Sequence, residues 1–205
     1  MAQDADLIAL SDASALLGVS VERVRQLVVA GELPGRRFGN VWVVARDAIA
    51  ARRHSPGVRG RPLEAARAWN EIVAGRVDLE RAGRYRRRAE VVRAAMSEAD
   101  AAALPALAGA RISGGRGAIE HGELLSDAVG WDIYVPRSGY ERLGANVAFV
   151  PDSFGNVVLR VVDDDVWAEL PPAPVAPPGA VALDLLESGD PRLWIAAEHL
   201  AARHG

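Results

Sequence analysis

The chain has 205 residues, half of them apolar and a quarter charged, with no cysteine. That balance builds one large or two small globular domains and excludes a mainly disordered chain, while the missing thiols exclude disulfides, zinc-thiolate sites and cysteine nucleophiles. Lysine and threonine are absent as well, so every cation is one of 24 arginines, and any charged grip on a phosphate uses a guanidinium fork. The net charge of -3 conceals an asymmetry: residues 1–100 hold 17 Arg against 13 acidic residues, and residues 101–205 hold 7 against 14. A mildly basic front half suits nucleic acid, and an acidic rear half suits solubility or a basic partner. No apolar stretch is long enough for a membrane helix, and Asp4, Asp6 and Asp12 stand where a secretion signal would be basic and then greasy, so a cytoplasmic protein is expected.

The first elements are two short helices. Ser11 is expected to cap one that ends at Gly18, and Ser20 to cap a second that ends at Gly31. Ala13, Leu16 and Leu17 on the first, and Val24, Leu27 and Val28 on the second, share the i, i+3, i+4 spacing of a single face. Those faces pack on each other as a helix-turn-helix with the second helix in the recognition position. Leu33 to Val44 then reads as two strands around a Gly39-Asn40 turn, a wing, with Trp42 in the core beneath it. Arg46 to Arg53 closes the unit as a short helix. The expected layout is a DNA-binding domain over 7–54, a breaker-rich linker over 55–62 and an α+β partner or regulatory domain over 63–205.

Within that rear domain, helices are expected over Leu63–Ala74, Leu79–Met96 and Glu98–Leu104. Strands follow at Trp131–Val135, Val147–Val150 and Val157–Val162, the last buried on both faces because nearly all of it is β-branched. A loop over Pro151–Asn156 joins the last two strands. After the proline-rich connector Pro171–Gly179, Ala180–Glu187 and Pro191–Arg203 form two final helices that bury Leu183, Leu186, Leu193, Trp194 and Leu200.

With the apolar stripe of the second helix turned inward, Glu22, Arg23, Arg25 and Gln26 face outward. Arg forks to guanine, Gln to adenine, and Glu accepts from the cytosine amino group, so this set can read sequence. Ser20 at the helix start can hold a phosphate, and Arg36, Arg37 and Asn40 on the wing are the natural backbone or minor-groove contacts. The basic run Arg81, Arg84, Arg86, Arg87 and Arg88 around Tyr85 reads as a solvated charged face, with a nucleic-acid patch as the sharper alternative. Catalytic signals are thin. His54, His121, His199 and His204 have no metal-ligand spacing, Gly114-Gly115-Arg116-Gly117 reads as a flexible turn, and Asp163-Asp164-Asp165 as the cap of the following turn. No enzyme, cofactor or metal site is expected.

The segment Leu16-Leu17-Gly18-Val19-Ser20, then Arg23 to Ala30, Gly31-Glu32-Leu33-Pro34, Arg37, Gly39 and Trp42 resembles the winged helix-turn-helix domains of the MerR and excisionase-like group. That resemblance implies duplex DNA as ligand. A second segment, Gly155 to Val162, Trp167, and Val181 to Arg192, resembles the C-terminal region of AbiEi-like antitoxins of type IV toxin-antitoxin pairs. It implies a repressor that opposes a nucleotidyltransferase toxin. The alternative is a free-standing regulator or recombination directionality factor whose rear domain only dimerises or senses a ligand.

Overall fold

The computed structural model describes residues 7–30, 33–46, 48–49, 52, 61–125, 130–146, 149–188 and 190–204. The expected Gly31 terminus, most of the 55–62 linker and His54 lie outside them. The protein is α+β, with a small N-terminal sheet and helix pair followed by a five-stranded sheet covered by helices.

In the N-terminal unit, β1 (Leu7–Ala9) leads directly into α1 (Leu10–Leu17), and α2 (Val21–Val29) follows after a turn. Gly18, at φ 67°, ends α1 in the left-handed conformation that a β-carbon disfavours. Ala9, not Ser11, occupies the cap position of α1, because β1 feeds the helix two residues earlier than the serine suggests; the Ser11 carbonyl instead accepts from Ser14 Oγ at 2.7 Å. The wing consists of β2 (Gly35–Phe38) and β3 (Val41–Ala45), joined at Gly39-Asn40. Gly39 alone takes positive φ there. β1 adds to the far side of β3, giving the order β1-β3-β2. Ala13, Val24, Leu27, Val28, Leu33, Val44 and Ile49 form the core, with Trp42 packed at its edge.

The second sheet has the order β5-β6-β8-β4-β7 and uses β4 (Glu90–Ala95), β5 (Arg111–Ser113), β6 (Trp131–Pro136), β7 (Val150–Pro151) and β8 (Val157–Val162). β6 and β8 run parallel and the other neighbours are antiparallel. Every residue of β8 is buried, as expected of a central strand with both faces covered. On one face α4 (Glu98–Ala108) and α6 (Arg137–Asn146) pack on Trp131, Ile133, Val135, Val157 and Leu159. On the other, α3 (Ala65–Val73), α5 (Gly114–Glu120), α7 (Asp164–Ala168), α8 (Pro178–Glu187) and α9 (Pro191–His204) pack around Tyr134 and Val162. Gly179 to Leu186 of α8 are all buried, so this helix is the centre of the larger core.

Several expectations change here. Leu79–Met96 is not one helix: a 3-10 helix over Leu79–Tyr85 gives way to β4, whose Val91, Val92 and Ala94 pair with β8. Sheet pairing overrode a stretch whose Ala, Glu and Arg content favours helix. Gly114 to Gly117 are the first turn of α5 instead of a free turn, and Gly114, at φ 58°, lies against Asp132. The three aspartates do separate jobs: Asp163 pairs with Arg137 at 3.0 Å, Asp164 accepts from Ser138, and only Asp165 bonds into the following turn, from Val166 N at 2.8 Å.

The largest change concerns Arg88. The last residue of the basic run is 2% exposed, and all five of its N–H donors are used. Its Nε donates to Tyr134 Oη at 2.7 Å, Nη1 to Tyr85 O and Glu187 Oε1 at 3.2 and 2.8 Å, and Nη2 to Asp184 Oδ1 and Glu187 Oε2 at 2.5 and 2.9 Å. Arg160, from the middle of β8, adds Nη1 to Glu187 at 2.8 Å and Nη2 to Asp132 at 3.2 Å, and its Nε lies 3.0 Å from Asp184. Ser113 Oγ and Tyr134 Oη complete the shell of Asp184. A buried charge is tolerated only when paired and hydrogen-bonded; every charge of this cluster is paired, only Arg160 Nε lacks a hydrogen bond among the donors named, and the cluster ties the turn before β4 to β5, β6, β8 and α8.

Burial alone raises the Glu187 carboxyl, but the adjacent Arg88 and Arg160 guanidiniums outweigh it and bring it down to about 2. Between its ordinary value of 4.5 and that value the unfolded chain binds a proton the folded chain refuses. Stability from this group is therefore complete above the upper value and lost as pH falls through the lower. Because 40% of the side chain meets water, screening reduces the contribution to about 1 to 2 kcal/mol. The gap in urea midpoint between wild type and Glu187→Gln should accordingly narrow as pH is lowered; a constant gap would show that the carboxylate charge contributes nothing.

Candidate nucleic-acid interface

The Ser20 hydroxyl caps α2 by accepting from Arg23 N at 3.2 Å, so the capping expected from the sequence is present and the helix presents its first turn to solvent. Val24, Leu27 and Val28 are buried against α1 and the wing, while Ser20, Glu22, Arg23, Arg25 and Gln26 are all exposed on the opposite side. A helix tied down on one face and polar on the other has the form that enters a major groove.

The exposed side chains are already organised. Arg25 lies side-on to Glu22, donating Nε to Oε2 at 2.9 Å and Nη2 to Oε1 at 2.8 Å. The hydrogen bonds from Arg25 lower the Glu22 carboxyl below its ordinary value, and Glu22 in turn raises Arg25, so both stay charged. Arg23 Nη1 makes a longer contact of 3.4 Å with Gln26 Oε1.

On the wing both Arg36 and Arg37 are exposed, although strand alternation requires only one of them to be. The wing is two strands wide at its tip, and Arg36 also lies 5.2 Å from the ring centre of Phe154, which belongs to the loop before β8. Arg36 stacks on Phe38, 4.4 Å from the ring centre, and Arg37 Nη2 donates to Asn40 Oδ1 at 2.9 Å. The aromatic contact of Arg36 and the exposure of Phe38 were not anticipated; an aromatic residue on a solvent-facing strand beside two arginines is the signal that could have pointed to them. Arg46, Ala48, Ile49 and Arg52 continue the chain in helical conformation.

Two further features lie away from this face. His121 Nε2 is 2.8 Å from Ala176 O, and His199 sits 3.6 Å from Glu123 beside an open, largely apolar groove lined by Leu124, Leu125, Ile195 and Ala196. Among the described residues no cluster of histidine and acidic side chains is placed to hold a metal ion, and no helix is long and apolar enough to cross a membrane.

If the wing holds backbone and α2 reads bases, the two kinds of variant separate. Arg37→Ala should weaken binding to all duplexes alike, whereas Gln26→Ala should relax preference at one base pair, a loss of about 1 to 3 kcal/mol of discrimination. Fluorescence titration on matched and mismatched duplexes checks this, and identical behaviour of the two variants would overturn the orientation given to α2.

Residues 10–53 match the family model described as a helix-turn-helix domain, about a fifth of the chain. No curated protein and no solved structure matches the chain. The match and the geometry of α1, α2 and the wing agree: the N-terminal unit is a helix-turn-helix domain, a DNA-binding element.

Proposed function

We propose that the protein is a sequence-specific DNA-binding transcriptional repressor whose α+β domain engages a partner protein. The observation that carries this reading is the exposed face of α2, where a capped helix start is followed by Glu22, Arg23, Arg25 and Gln26 over a buried apolar stripe, beside the arginine-bearing wing. The roles of Ser20, Arg36, Arg37 and Asn40 as backbone contacts belong to the same proposal. Duplex selection from a randomised pool, followed by footprinting upstream of the gene, tests it; a chain that enriches no sequence and protects no promoter would defeat the repressor reading.

The resemblance of Gly155 to Arg192 to AbiEi-like antitoxins supports a nucleotidyltransferase-type toxin as the partner, and the acidic balance beyond residue 100 suits a basic protein surface. Co-expression with a neighbouring nucleotidyltransferase gene should restore growth. Failure to protect, with DNA binding intact, would favour the free-standing regulator or recombination directionality factor.

A further inference from the structure

We propose that Glu22 and Arg25 act as one preassembled unit that reads the guanine of a G·C base pair, with Arg25 touching the base and Glu22 as its positioning residue. The inference rests on the DNA-binding reading above and adds what the helix reads and how.

A guanidinium has two hydrogen-bonding edges. In this protein the Nε–Nη2 edge of Arg25 is closed by the carboxylate at 2.9 and 2.8 Å. The other edge, formed by Nη1 and the second hydrogen of Nη2, keeps two parallel N–H bonds, and the pair stands about half exposed, at 49% for Arg25 and 58% for Glu22. Two parallel donors match the O6 and N7 acceptors on the major-groove edge of guanine, which no other base presents together. The i, i+3 spacing on α2 keeps both residues on one face, so insertion of the helix brings the free edge forward without breaking the pair.

Charge decides between base and phosphate. An unpaired arginine is drawn to the nearest phosphate, but Glu22 makes the pair neutral and repels phosphate at close range. A guanine edge is a neutral acceptor array and carries no such penalty. The side-on carboxylate also holds in advance the rotamers that a free arginine would have to give up on binding. Arg23 shows the contrast: its single 3.4 Å contact is to the uncharged Gln26 amide, which leaves it a full cation for the backbone.

The full-length protein is used for the test. A motif is first obtained by selection from randomised duplex. Wild type, Arg25→Ala, Arg25→Lys and Glu22→Gln are then titrated on the selected duplex and on a partner in which one G·C pair is replaced by A·T. Wild type is expected to prefer guanine at one position by tenfold or more, and both Arg25 variants should lose that preference, lysine because it cannot fork. Glu22→Gln removes a negative charge and should bind every duplex more tightly while lowering the matched-to-mismatched ratio severalfold. Both substituted positions are solvent-facing, so thermal melting should show intact variants. If Glu22→Gln tightens both duplexes equally with an unchanged ratio, Glu22 is only a repelling charge and the unit is overturned. Guanine preference that survives Arg25→Ala overturns it as well. A wild-type chain that selects a motif without guanine leaves DNA binding standing and overturns the unit, whereas one that binds no duplex removes both.

Discussion

Replacing Arg88 by alanine is expected to destabilise the five-stranded domain by about 3 to 5 kcal/mol, a large share of the stability of a domain of this size. The reason is what stays behind. Asp184 is fully buried and loses the donor at 2.5 Å, Tyr134 loses its partner at 2.7 Å, and Glu187 loses a two-pronged contact. Arg160 reaches both carboxylates but already serves Asp132, so it would face three acidic groups with only the longer-range charge of Arg93 beside it. Arg88→Lys keeps the charge but offers three donors in place of five and should lie between. Replacing Arg88 and Asp184 together by Met and Leu should recover part of the loss, because a buried ion pair can be exchanged for apolar side chains more cheaply than it can be broken. Urea unfolding followed by tryptophan fluorescence suits the measurement, since Trp69 donates to the Arg88 carbonyl at 2.8 Å and meets Tyr134 edge-on. A loss below about 1 kcal/mol for Arg88→Ala would mean that water replaces the guanidinium and that the cluster is not the tie between sheet and helix described above.

Legibility followed the range of the interactions. Ser20, Gly18, the stripe Val24, Leu27 and Val28, and the Gly39-Asn40 turn act within a few residues, and periodicity and capping chemistry are enough to place them. β8 was readable because a run of β-branched residues has few other uses. Arg88 was not: it stands 96 residues from Asp184 and 99 from Glu187, and nothing within the run from Arg81 separates it from its solvent-facing neighbours. The signal lay with its partners. Arg160 interrupts a buried apolar strand and Asp184 a buried apolar helix, and a charge in such a place requires an opposite one. On the DNA face the outward residues of α2 follow from helical geometry, but the pairing of Arg25 with Glu22 instead of a free side chain depends on rotamers that spacing alone does not select.

DNA affinity is expected to fall about five hundredfold between roughly 50 and 200 mM salt. Six arginines occur among the described residues of the N-terminal unit: Arg23, Arg25, Arg36, Arg37, Arg46 and Arg52. Arg25 is neutralised by Glu22, and at ~0.9 released counterion per neutralised phosphate the other five give a log-log slope near -4.5. The rear of the chain opposes this term, since residues 101–205 carry 14 acidic side chains against 7 arginines and are repelled from the backbone at low salt. A fragment limited to the N-terminal unit should therefore bind no more weakly than the full chain at low salt, with a slope at least as steep. Arg37→Ala should flatten the slope by about one contact. Gln26→Ala, which changes no charge, should leave it alone while altering base preference. A slope near zero for the wild type would remove the arginine-phosphate basis of the interface, and an unchanged slope in Arg37→Ala would move the wing off the DNA.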